Sequence, residues 1–217
     1  MNMKIHYEDK YLIVADKEAG VASQKDPSGR PDMVTLLSEH CRKEVFCVHR
    51  LDTATSGIMV YAKDSRTAGK LSAALSHENG AVKEYVCICR GECDDSGKME
   101  DLLYHDRQKN KAFVVKKERS GVKKASLSYK SLAYKDDLSL VRVTLHTGRT
   151  HQIRVQFASR KMPLVGDGKY GSRDNRPLAL HCLRLSFIHP MTNETLDTVS
   201  YPTTPWYGFE SFDKDDI

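Results

Sequence analysis

This chain alternates short apolar stretches with amphipathic stretches of helical spacing, and that alternation is the strongest constraint on its fold. Stretches of period two and short runs of β-branched or aromatic residues predict strands, and apolar residues three or four apart predict helices. The predicted strands lie at residues 5–7, 11–15, 45–48, 58–61, 82–89, 138–146 and 183–190. The predicted helices lie at residues 33–43, 65–77 and from a cap at Thr150 through Ile153 and Phe157. Because several strand connections are short enough for hairpins, the sequence predicts a mixed α/β (α+β) fold, with an antiparallel-rich sheet flanked by helices.

The length of 217 residues, with 40% apolar and 29% charged residues, is typical of a folded globular protein. We expect a single domain over residues 1–217. No apolar run reaches the roughly 18 residues of a membrane-spanning helix. The polar start from Met1 to Glu8 lacks the apolar core of a signal peptide. We therefore expect a cytoplasmic protein with reduced thiols and no membrane partner.

Three of the six cysteines, Cys87, Cys89 and Cys93, form the only cysteine cluster of the sequence. Structural zinc sites usually draw four ligands from two closely spaced pairs. The position of this cluster on a predicted strand favours buried hydrophobic thiols over a metal site. No metal site is predicted.

Positive charge is concentrated between His105 and Lys130, where nine Lys or Arg residues stand against two acids. The centre of this basic segment, residues 112–125, predicts two strands joined by a Ser-Gly turn. The lysines nearest the turn are Lys116, Lys117, Lys123 and Lys124. Such lysines can keep a solvated hairpin from pairing with neighbouring sheets, or they can contact the phosphates of a nucleic acid. Charge alone does not decide between these two interpretations.

The polar loop between two predicted strands has the sequence HRLDTATSG at residues 49–57. Asp52 in such a loop can accept hydrogen bonds from nearby backbone N–H groups in an Asx turn. Alternatively, it is a carboxylate at a strand end that serves as a nucleophile or base. A nucleophilic carboxylate should be ionised, and a nearby cation keeps it so.

A second polar segment, with the sequence TGRTHQIRV at residues 147–155, joins a predicted strand to a predicted helix. Gly148 ends the strand, and Thr150 is placed to cap the N-terminus of the helix. Arginine and histidine side chains at such a junction favour the binding of phosphate or carboxylate. The alternative is an exposed polar helix start. Arg154 follows the core-facing Ile153 and is placed to reach an acid inside the protein.

Other reaction classes find little support in the sequence. It contains no phosphate-binding loop and no glycine-rich dinucleotide fingerprint. It also lacks a His-Glu-x-x-His zinc motif and a Gly-x-Ser-x-Gly nucleophile elbow.

The loop at residues 49–57 resembles the catalytic signature of the RluA-type pseudouridine synthases, His-Arg-Leu-Asp-x-x-Thr-Ser-Gly, at every fixed position. Residues 148–155 resemble the second signature of that family. Further segments that resemble the family are residues 7–20, 163–167, 170–171 and 180–190. The likeness covers about residues 5–200. The chain departs from the usual family pattern at Glu18, Gln156 and residues 161–162, none of which belongs to the expected catalytic set.

This resemblance implies the pseudouridine synthase catalytic fold and the isomerisation of specific uridines to pseudouridine in ribosomal RNA or tRNA. It implies Asp52 as the catalytic carboxylate, Arg154 as its ion-pair partner and Tyr85 as the tyrosine that stacks on the flipped uracil. Without the family, Tyr85 would be interpreted as a strand tyrosine in the core. The residues expected to contact RNA are His49, Arg50, Arg149, His151, Lys116, Lys117, Lys123 and Lys124. The reaction is redox-neutral, so no metal or organic cofactor is expected.

The small RNA-binding S4 domain that precedes many family members is not expected, because the catalytic resemblance starts by residue 5. RNA would then be held by the catalytic domain itself, which favours the basic segment as an RNA contact. No obligate protein partner is evident. Two other classes stay open at this point: a non-catalytic RNA-binding protein on this fold, and a hydrolase or lyase that acts on nucleotides through Asp52.

Overall fold

The computed structural model describes residues 3–76, 80–202, 206 and 209. These residues form two compact units. The first unit is the chain up to Lys83 together with His181–Pro202, and the second is built on Glu84–Leu180. None of the helices in the described part of the chain has the length and apolar content needed to cross a membrane.

Strands and helices are interleaved along the described chain, which confirms the predicted mixed α+β class. The strands are β1 (Ile5–Glu8), β2 (Leu12–Lys17), β3 (Phe46–Cys47), β4 (Ser56–Ala62), β5 (Val82–Arg90), β6 (Ser96–Asp106), β7 (Lys111–Val115), β8 (Val122–Lys135), β9 (Leu138–Leu145), β10 (Leu180–Ile188) and β11 (Thr195–Val199). The helices are α1 (Met33–Cys41), α2 (Ser65–Ala74) and α3 (Gln152–Ser159), and a 3₁₀ helix spans Gly168–Tyr170.

The first unit contains a mixed sheet with the strand order β1-β2-β4-β10, in which β3 also pairs with β4 and β11 with β10. The β4–β10 pair is parallel and the other pairs are antiparallel. Strands β2 and β4 are interior strands, so both are buried along almost their whole length. Their apolar side chains form one core with Leu71 of α2 and with Leu185 and Phe187 of β10.

Both helices of the first unit begin at an aspartate. Asp32 and Asp64 each accept a hydrogen bond from the backbone N–H three residues on, at 2.8 Å, which satisfies one of the free donors of the first turn. Helix α1 ends two residues before the predicted 33–43 boundary, because Arg42 takes a left-handed conformation with a φ of 52°. The predicted end of α2 at His77 lies outside the described residues.

The second unit contains an antiparallel sheet with the strand order β5-β9-β8-β6-β7. Helix α3 and the 3₁₀ helix pack on the β6–β7 side of this sheet. Their residues Val155 and Tyr170 form one core cluster with Leu103, Ala112 and Ala125.

The predicted hairpin between residues 112–115 and 122–125 is wrong, because β6 lies between the two strands. Leu103 of β6 stands opposite Val114 of β7 on one side and opposite Lys123 of β8 on the other. The hairpin in this region is therefore formed by β6 and β7. The basic connection from β7 to β8 does not close a hairpin of its own.

A charged residue on the inner face of β6 explains why this strand was not predicted from the sequence. Met99 and Leu103 are buried, but Asp101 stands between them in the period-two pattern. Its carboxylate accepts hydrogen bonds from Gln156 Nε2 at 2.7 Å and Arg160 NH1 at 2.9 Å. These partners make the inward-facing acid tolerable.

The cysteine cluster is buried, as predicted for hydrophobic thiols, and all six cysteines are free. The Sγ atoms of Cys89 and Cys93 lie 3.3 Å apart, and Cys93 Sγ lies 3.5 Å from Met162 Sδ. Burial raises the pKa of the Cys87 thiol. The cluster therefore contributes packing on β5.

We predict that Gly57→Ala destabilises the protein strongly. Gly57 has a φ of 112°, and a Cβ atom there would lie 2.3 Å from the backbone oxygen of Cys182. Strain and steric overlap should together lower the free energy of unfolding by about 3 kcal/mol, which denaturant unfolding measures. Gly69→Ala is the matched control, because open space surrounds Gly69 in α2, and it should stabilise by roughly 0.5–1 kcal/mol. A Gly57→Ala protein as stable as the wild type would contradict the close approach of β4 and β10.

Candidate active site

Asp52 lies in the first unit, half-buried, in the loop between β3 and β4. Its backbone oxygen accepts a hydrogen bond from Thr55 N at 2.9 Å, which closes a four-residue turn. The turn is made by this main-chain bond, so it does not require the Asp52 carboxylate.

Ser23 holds the residue that precedes Asp52. The Ser23 hydroxyl donates to Leu51 O at 2.7 Å and accepts from Leu51 N at 3.0 Å. One side chain thus satisfies both backbone polar groups of Leu51. The backbone of Ser23 is in turn bonded to β4, because Oη of Tyr61 in that strand donates a hydrogen bond to Ser23 O at 2.8 Å.

Lys17 and Gly20 hold the residue that follows Asp52. Lys17 Nζ and Gly20 N both donate to Thr53 O, at 3.1 Å and 2.7 Å. Lys17 is almost fully buried, and burial lowers its pKa to about 8, while the negative charge of Asp52 opposes this shift. Lys17 therefore places its amino group against the backbone of the residue that follows Asp52. We call Lys17, Gly20 and Ser23 the loop clamp.

His181 anchors the end of the loop. Its Nε2 lies 3.0 Å from Ser200 O and its Nδ1 lies 2.9 Å from Ser56 Oγ. A carbonyl oxygen only accepts, so Nε2 carries the proton and the Ser56 hydroxyl donates to Nδ1. Burial lowers the pKa of His181 to about 4. The ring is therefore neutral at physiological pH and this arrangement persists.

His49, the first residue of the loop motif, is built into the first unit. Its Nε2 accepts a hydrogen bond from Val60 N at 3.1 Å. Burial lowers the pKa of His49 to about 3, and the charge of Lys83 contributes to this shift. A neutral ring with an occupied Nε2 supplies no positive charge for a phosphate. RNA contact by His49 stays a prediction, as it does for the exposed Arg50 beside it.

Tyr85 lies in the second unit, on β5, opposite Val143 of β9. Its side chain is largely buried. The neighbouring residue Glu84 accepts a hydrogen bond from Arg142 NH2 at 2.6 Å, which ties β5 to β9 beside the tyrosine. A buried strand tyrosine is compatible with core packing and with stacking on a base, so the role of Tyr85 stays a prediction.

Arg154 lies on α3 in the second unit and pairs with Asp167. Its Nε and NH2 groups donate to the two carboxylate oxygens of Asp167, each at 2.7 Å. The guanidinium carbon also lies 5.1 Å from the centroid of the Tyr170 ring. The prediction that Arg154 reaches an acid inside the protein is thus confirmed with Asp167. Its pairing with Asp52 stays a prediction.

Helix α3 begins differently from the prediction, because Thr150 is not its N-cap. The N-cap is His151, which has a φ of 55° and makes no side-chain capping bond. Instead, the side chain of Gln152 bonds to the residues that precede the helix. Its Oε1 accepts hydrogen bonds from Arg149 N at 3.1 Å and from Thr147 Oγ1 at 2.8 Å. The prediction considered only the residue types that are preferred at the N-cap, so it missed the role of a glutamine in the first turn.

His151 and Arg149, both expected to contact RNA, make contacts within the second unit. The His151 ring is buried, with Nδ1 2.9 Å from Tyr170 Oη. Arg149 is half-buried, and its Nε donates to Lys124 O at 2.9 Å. Both residues thus help to hold the start of α3, and their contact with RNA stays a prediction.

The four lysines of the basic segment are exposed around the connection from β7 to β8. These residues are Lys116, Lys117, Lys123 and Lys124. Next to them, the guanidinium of Arg119 lies 4.8 Å from the centroid of the Tyr104 ring, a cation–π contact. A groove of about 460 Å³ is lined by Leu102, Glu118, Arg119, Val122 and Lys124. This surface presents several cations beside apolar side chains, which is suited to contact with a polyanion.

Within residues 3–76, 80–202, 206 and 209, one group of three possible metal ligands lies within reach of one another, and it consists of Glu8, His40 and Cys41. The Glu8 carboxylate already accepts hydrogen bonds from Lys63 Nζ and from His40 Nε2. The Lys63 cation neutralises the carboxylate, so these residues form an ion-pair network.

Comparisons with known proteins agree with the motif at residues 49–57. The family model for RNA pseudouridylate synthases matches residues 11–159, more than half of the chain. The chain is 30% identical to tRNA pseudouridine synthase C of Pasteurella multocida, over 95% of this chain and 94% of that relative. It is 31% identical to ribosomal large subunit pseudouridine synthase D of Vibrio vulnificus, over 90% of this chain and 66% of that relative. Human RNA pseudouridylate synthase domain containing 1 has a similar fold, with a TM-score of 0.76 at 22% identity over 93% of this chain and 84% of the human one.

The motif and these comparisons define an enzyme that modifies RNA by isomerisation. The chain belongs to the RNA pseudouridylate synthase family, in its RluA-type branch. It is an isomerase that converts uridine in RNA to pseudouridine. The resemblance seen in the sequence is thus confirmed.

Sequence reasoning missed three residues that shape the site: Lys17, Ser23 and Asp167. Lys17 ends β2 and stands between Asp16 and Glu18 in the sequence, so it resembles an exposed loop residue and gave no signal. Ser23 gave no signal, because a serine in a polar loop is ordinary. Asp167 lay in a segment that resembled the family, but no role followed from the sequence.

We predict that His49→Gln weakens the acid sensitivity of the fold. Below the ordinary histidine pKa of 6.5 the unfolded chain takes up a proton that folded His49 resists down to about pH 3. The unfolded state therefore binds more protons across this window, and stability falls as the pH falls. The wild type should lose up to about 1.4 kcal/mol per pH unit more than the variant. Denaturant unfolding at several pH values in this window measures the difference.

His146→Gln, at an exposed position, controls for the loss of an imidazole. Equal pH slopes for His49→Gln and the wild type would contradict a neutral, half-buried His49 ring.

Proposed function

We propose that Asp52 is the catalytic carboxylate of this isomerase and that its substrates are uridines in structured tRNA or ribosomal RNA. The observation that carries the assignment of Asp52 is the loop clamp, which fixes the backbone on both sides of one half-buried carboxylate. The names of the relatives support the two RNA classes, since one is a tRNA enzyme and another acts on the large ribosomal subunit.

The reaction exchanges one glycosidic bond for another. The bond from N1 of uracil to C1′ breaks, the base turns over, and a bond from C5 to C1′ forms. The hydrogen of C5 leaves as a proton and N1 gains one, so no oxidant or cofactor is needed. Asp52 can promote this exchange by attacking C1′, by attacking the uracil ring or by removing the C2′ proton. Each of these steps requires an ionised carboxylate, and Lys17 of the loop clamp places a basic side chain against the loop that carries Asp52.

Tyr85 and Arg154 complete the proposed catalytic set. A uridine that leaves its stack needs a new apolar surface, and the ring of Tyr85 would offer one. Arg154 would pair with Asp52, because a guanidinium offers parallel donors in a rigid fork that fix a carboxylate's direction as well as its charge. The family match supports this set, since the matched range, residues 11–159, includes all three positions.

The proposed RNA contacts are sequence-independent interactions with phosphates. They would be made by the four lysines of the basic segment together with Arg50 and Arg149, and His49 and His151 would support RNA binding from beside these two arginines. We propose further that residues 1–217 act as one catalytic domain without a protein partner, in the cytoplasm, where tRNA and ribosomal RNA are present. The range of the family match, residues 11–159, includes residues of both units, which supports the single domain.

We predict that Asp52→Asn keeps the fold and the affinity for RNA but lowers turnover by at least about 10³-fold, because the amide has nearly the same shape and cannot act as nucleophile or base. The assay is release of tritium from RNA that carries C5-labelled uridine, since only glycosylation at C5 expels that hydrogen. Asp136→Asn is the control, because Asp136 is exposed and its left-handed conformation suits asparagine.

Tritium release by Asp52→Asn near the wild-type rate would show that another group is catalytic. A wild-type protein that binds RNA without release would be a non-catalytic binder. Free uracil among the products would indicate hydrolysis of the glycosidic bond.

We predict that the basic segment contributes directly to RNA affinity. A variant with Gln at Lys116, Lys117, Lys123 and Lys124 should bind more weakly. Its plot of log affinity against log salt concentration should flatten by about 0.9 for each duplex phosphate that the variant no longer neutralises. Fluorescence anisotropy over a salt series measures both effects.

The matched control removes the same net charge from exposed lysines of the first unit, namely Lys4, Lys25, Lys43 and Lys70. Equal flattening in both variants would assign the effect to net charge. An unchanged slope in the variant of the basic segment would show that these lysines are solvated and do not contact RNA.

A further inference from the structure

Asp167 holds Arg154 through two parallel hydrogen bonds. Arg154 Nε donates to Oδ2 and NH2 donates to Oδ1 of Asp167, each at 2.7 Å. Arg154 is 7% exposed and Asp167 is 2% exposed, so the pair is shielded from water. A contact of this kind fixes the plane of the guanidinium as well as balancing its charge.

The chain around Asp167 is shaped for this contact. Gly166 has a φ of 76°, and a Cβ atom there would lie 2.2 Å from Pro177 O, so the turn requires glycine. The Asp167 backbone oxygen then accepts from Tyr170 N at 3.0 Å, which begins the 3₁₀ helix. The backbone of Asp167 is thus fixed independently of its side chain.

Tyr170 supports the guanidinium from a second direction. Its ring centroid lies 5.1 Å from Arg154 Cζ, within the range of a cation–π interaction. The Tyr170 hydroxyl accepts from Ala112 N of β7 at 2.8 Å. The same hydroxyl lies 2.9 Å from His151 Nδ1, within hydrogen-bond distance. Strand β7 and the N-cap of α3 thereby hold the ring in place.

Stability alone does not account for a charged pair at this position. A buried ion pair contributes little net free energy compared with apolar side chains of the same volume. Its distinctive effect here is geometric. The edge of the guanidinium formed by Nε and NH2 is committed to Asp167. The edge formed by NH1 and NH2 therefore points in a fixed direction, and that edge has the parallel donors that suit a second carboxylate.

We infer that Asp167 is a positioning residue, which with Tyr170 fixes the direction of the NH1–NH2 edge that Arg154 would use in its proposed catalytic role. This inference rests on the roles proposed for Asp52 and Arg154. Asp167 acts only through Arg154, in the way that outer residues orient the groups that touch a reacting centre.

A double-mutant cycle tests the inference in single-turnover pseudouridine formation. Asp167→Asn removes one charge with little change in shape. It should slow the reaction about 10- to 100-fold, while the affinity for RNA stays within about twofold. Arg154→Lys should slow the reaction at least as much, since lysine lacks the fork. The double variant should be no slower than Arg154→Lys alone, and effects that multiply would overturn the inference.

The pH–rate profile separates positioning from a general loss of structure. A misaligned guanidinium favours ionised Asp52 less, so the acidic limb of the Asp167→Asn profile should move to higher pH. A slower reaction with an unmoved acidic limb would overturn the inference. If Asp167→Asn does not fold, Asp167→Glu replaces it, because glutamate keeps the charge and displaces the carboxylate by one methylene.

Hydrogen exchange of the Arg154 Nε–H group, followed by NMR, tests the geometry without reference to activity. Exchange should be slow in the wild type and at least about tenfold faster in Asp167→Asn. Arg184, which makes the same two-bond contact with Asp197 at 2.8 Å and 2.7 Å in the first unit, is the internal control. Unchanged Arg154 exchange would overturn the inference. An inactive wild type with slow Arg154 exchange would overturn the proposed function and leave the positioning of Arg154 intact.

Discussion

The hydrogen bonds between Ser23 and Leu51 are the contact on which the candidate site most depends. A polar loop between short strands has many conformations, and fixing each residue costs roughly 1–2 kcal/mol of backbone entropy. Ser23 satisfies both backbone groups of the residue before Asp52, and Lys17 and Gly20 hold the residue after it. The backbone on both sides of Asp52 is thus held by a segment about thirty residues away in sequence, and the loop residues alone do not determine its conformation.

The sequence predicted what depends on local pattern and failed where tertiary contacts decide. Short apolar runs located β2 and β4, the alternation of apolar residues located β9, and a nine-residue motif located Asp52. Strand β6 was concealed, because Asp101 interrupts its inner face and becomes acceptable only through Gln156 and Arg160. The loop clamp was equally hidden. A serine hydroxyl becomes a clamp only when the fold brings Leu51 to it, and no spacing in the sequence encodes that approach.

The two units carry their buried cations in different ways. Lys17 is surrounded by backbone oxygens, and burial brings its pKa down to about 8, so its charge is sensitive to small changes in its surroundings. Arg154 faces a full negative charge on Asp167, and a guanidinium stays protonated under all physiological conditions. Lysine suits a position where only a local field is needed. Arginine suits one where the direction of the donors matters.

The position of β6 between β7 and β8 has a consequence for how this fold can diversify. The connection at residues 116–121 links two strands whose registers are fixed by β6 and not by the connection itself. In a tight hairpin the loop length sets the register, whereas here residues can be added or removed at a small cost in chain entropy. The length and charge of this basic stretch are therefore free to change over evolution without disturbing the sheet beneath it. One scaffold can in this way be adapted to RNAs of different shape.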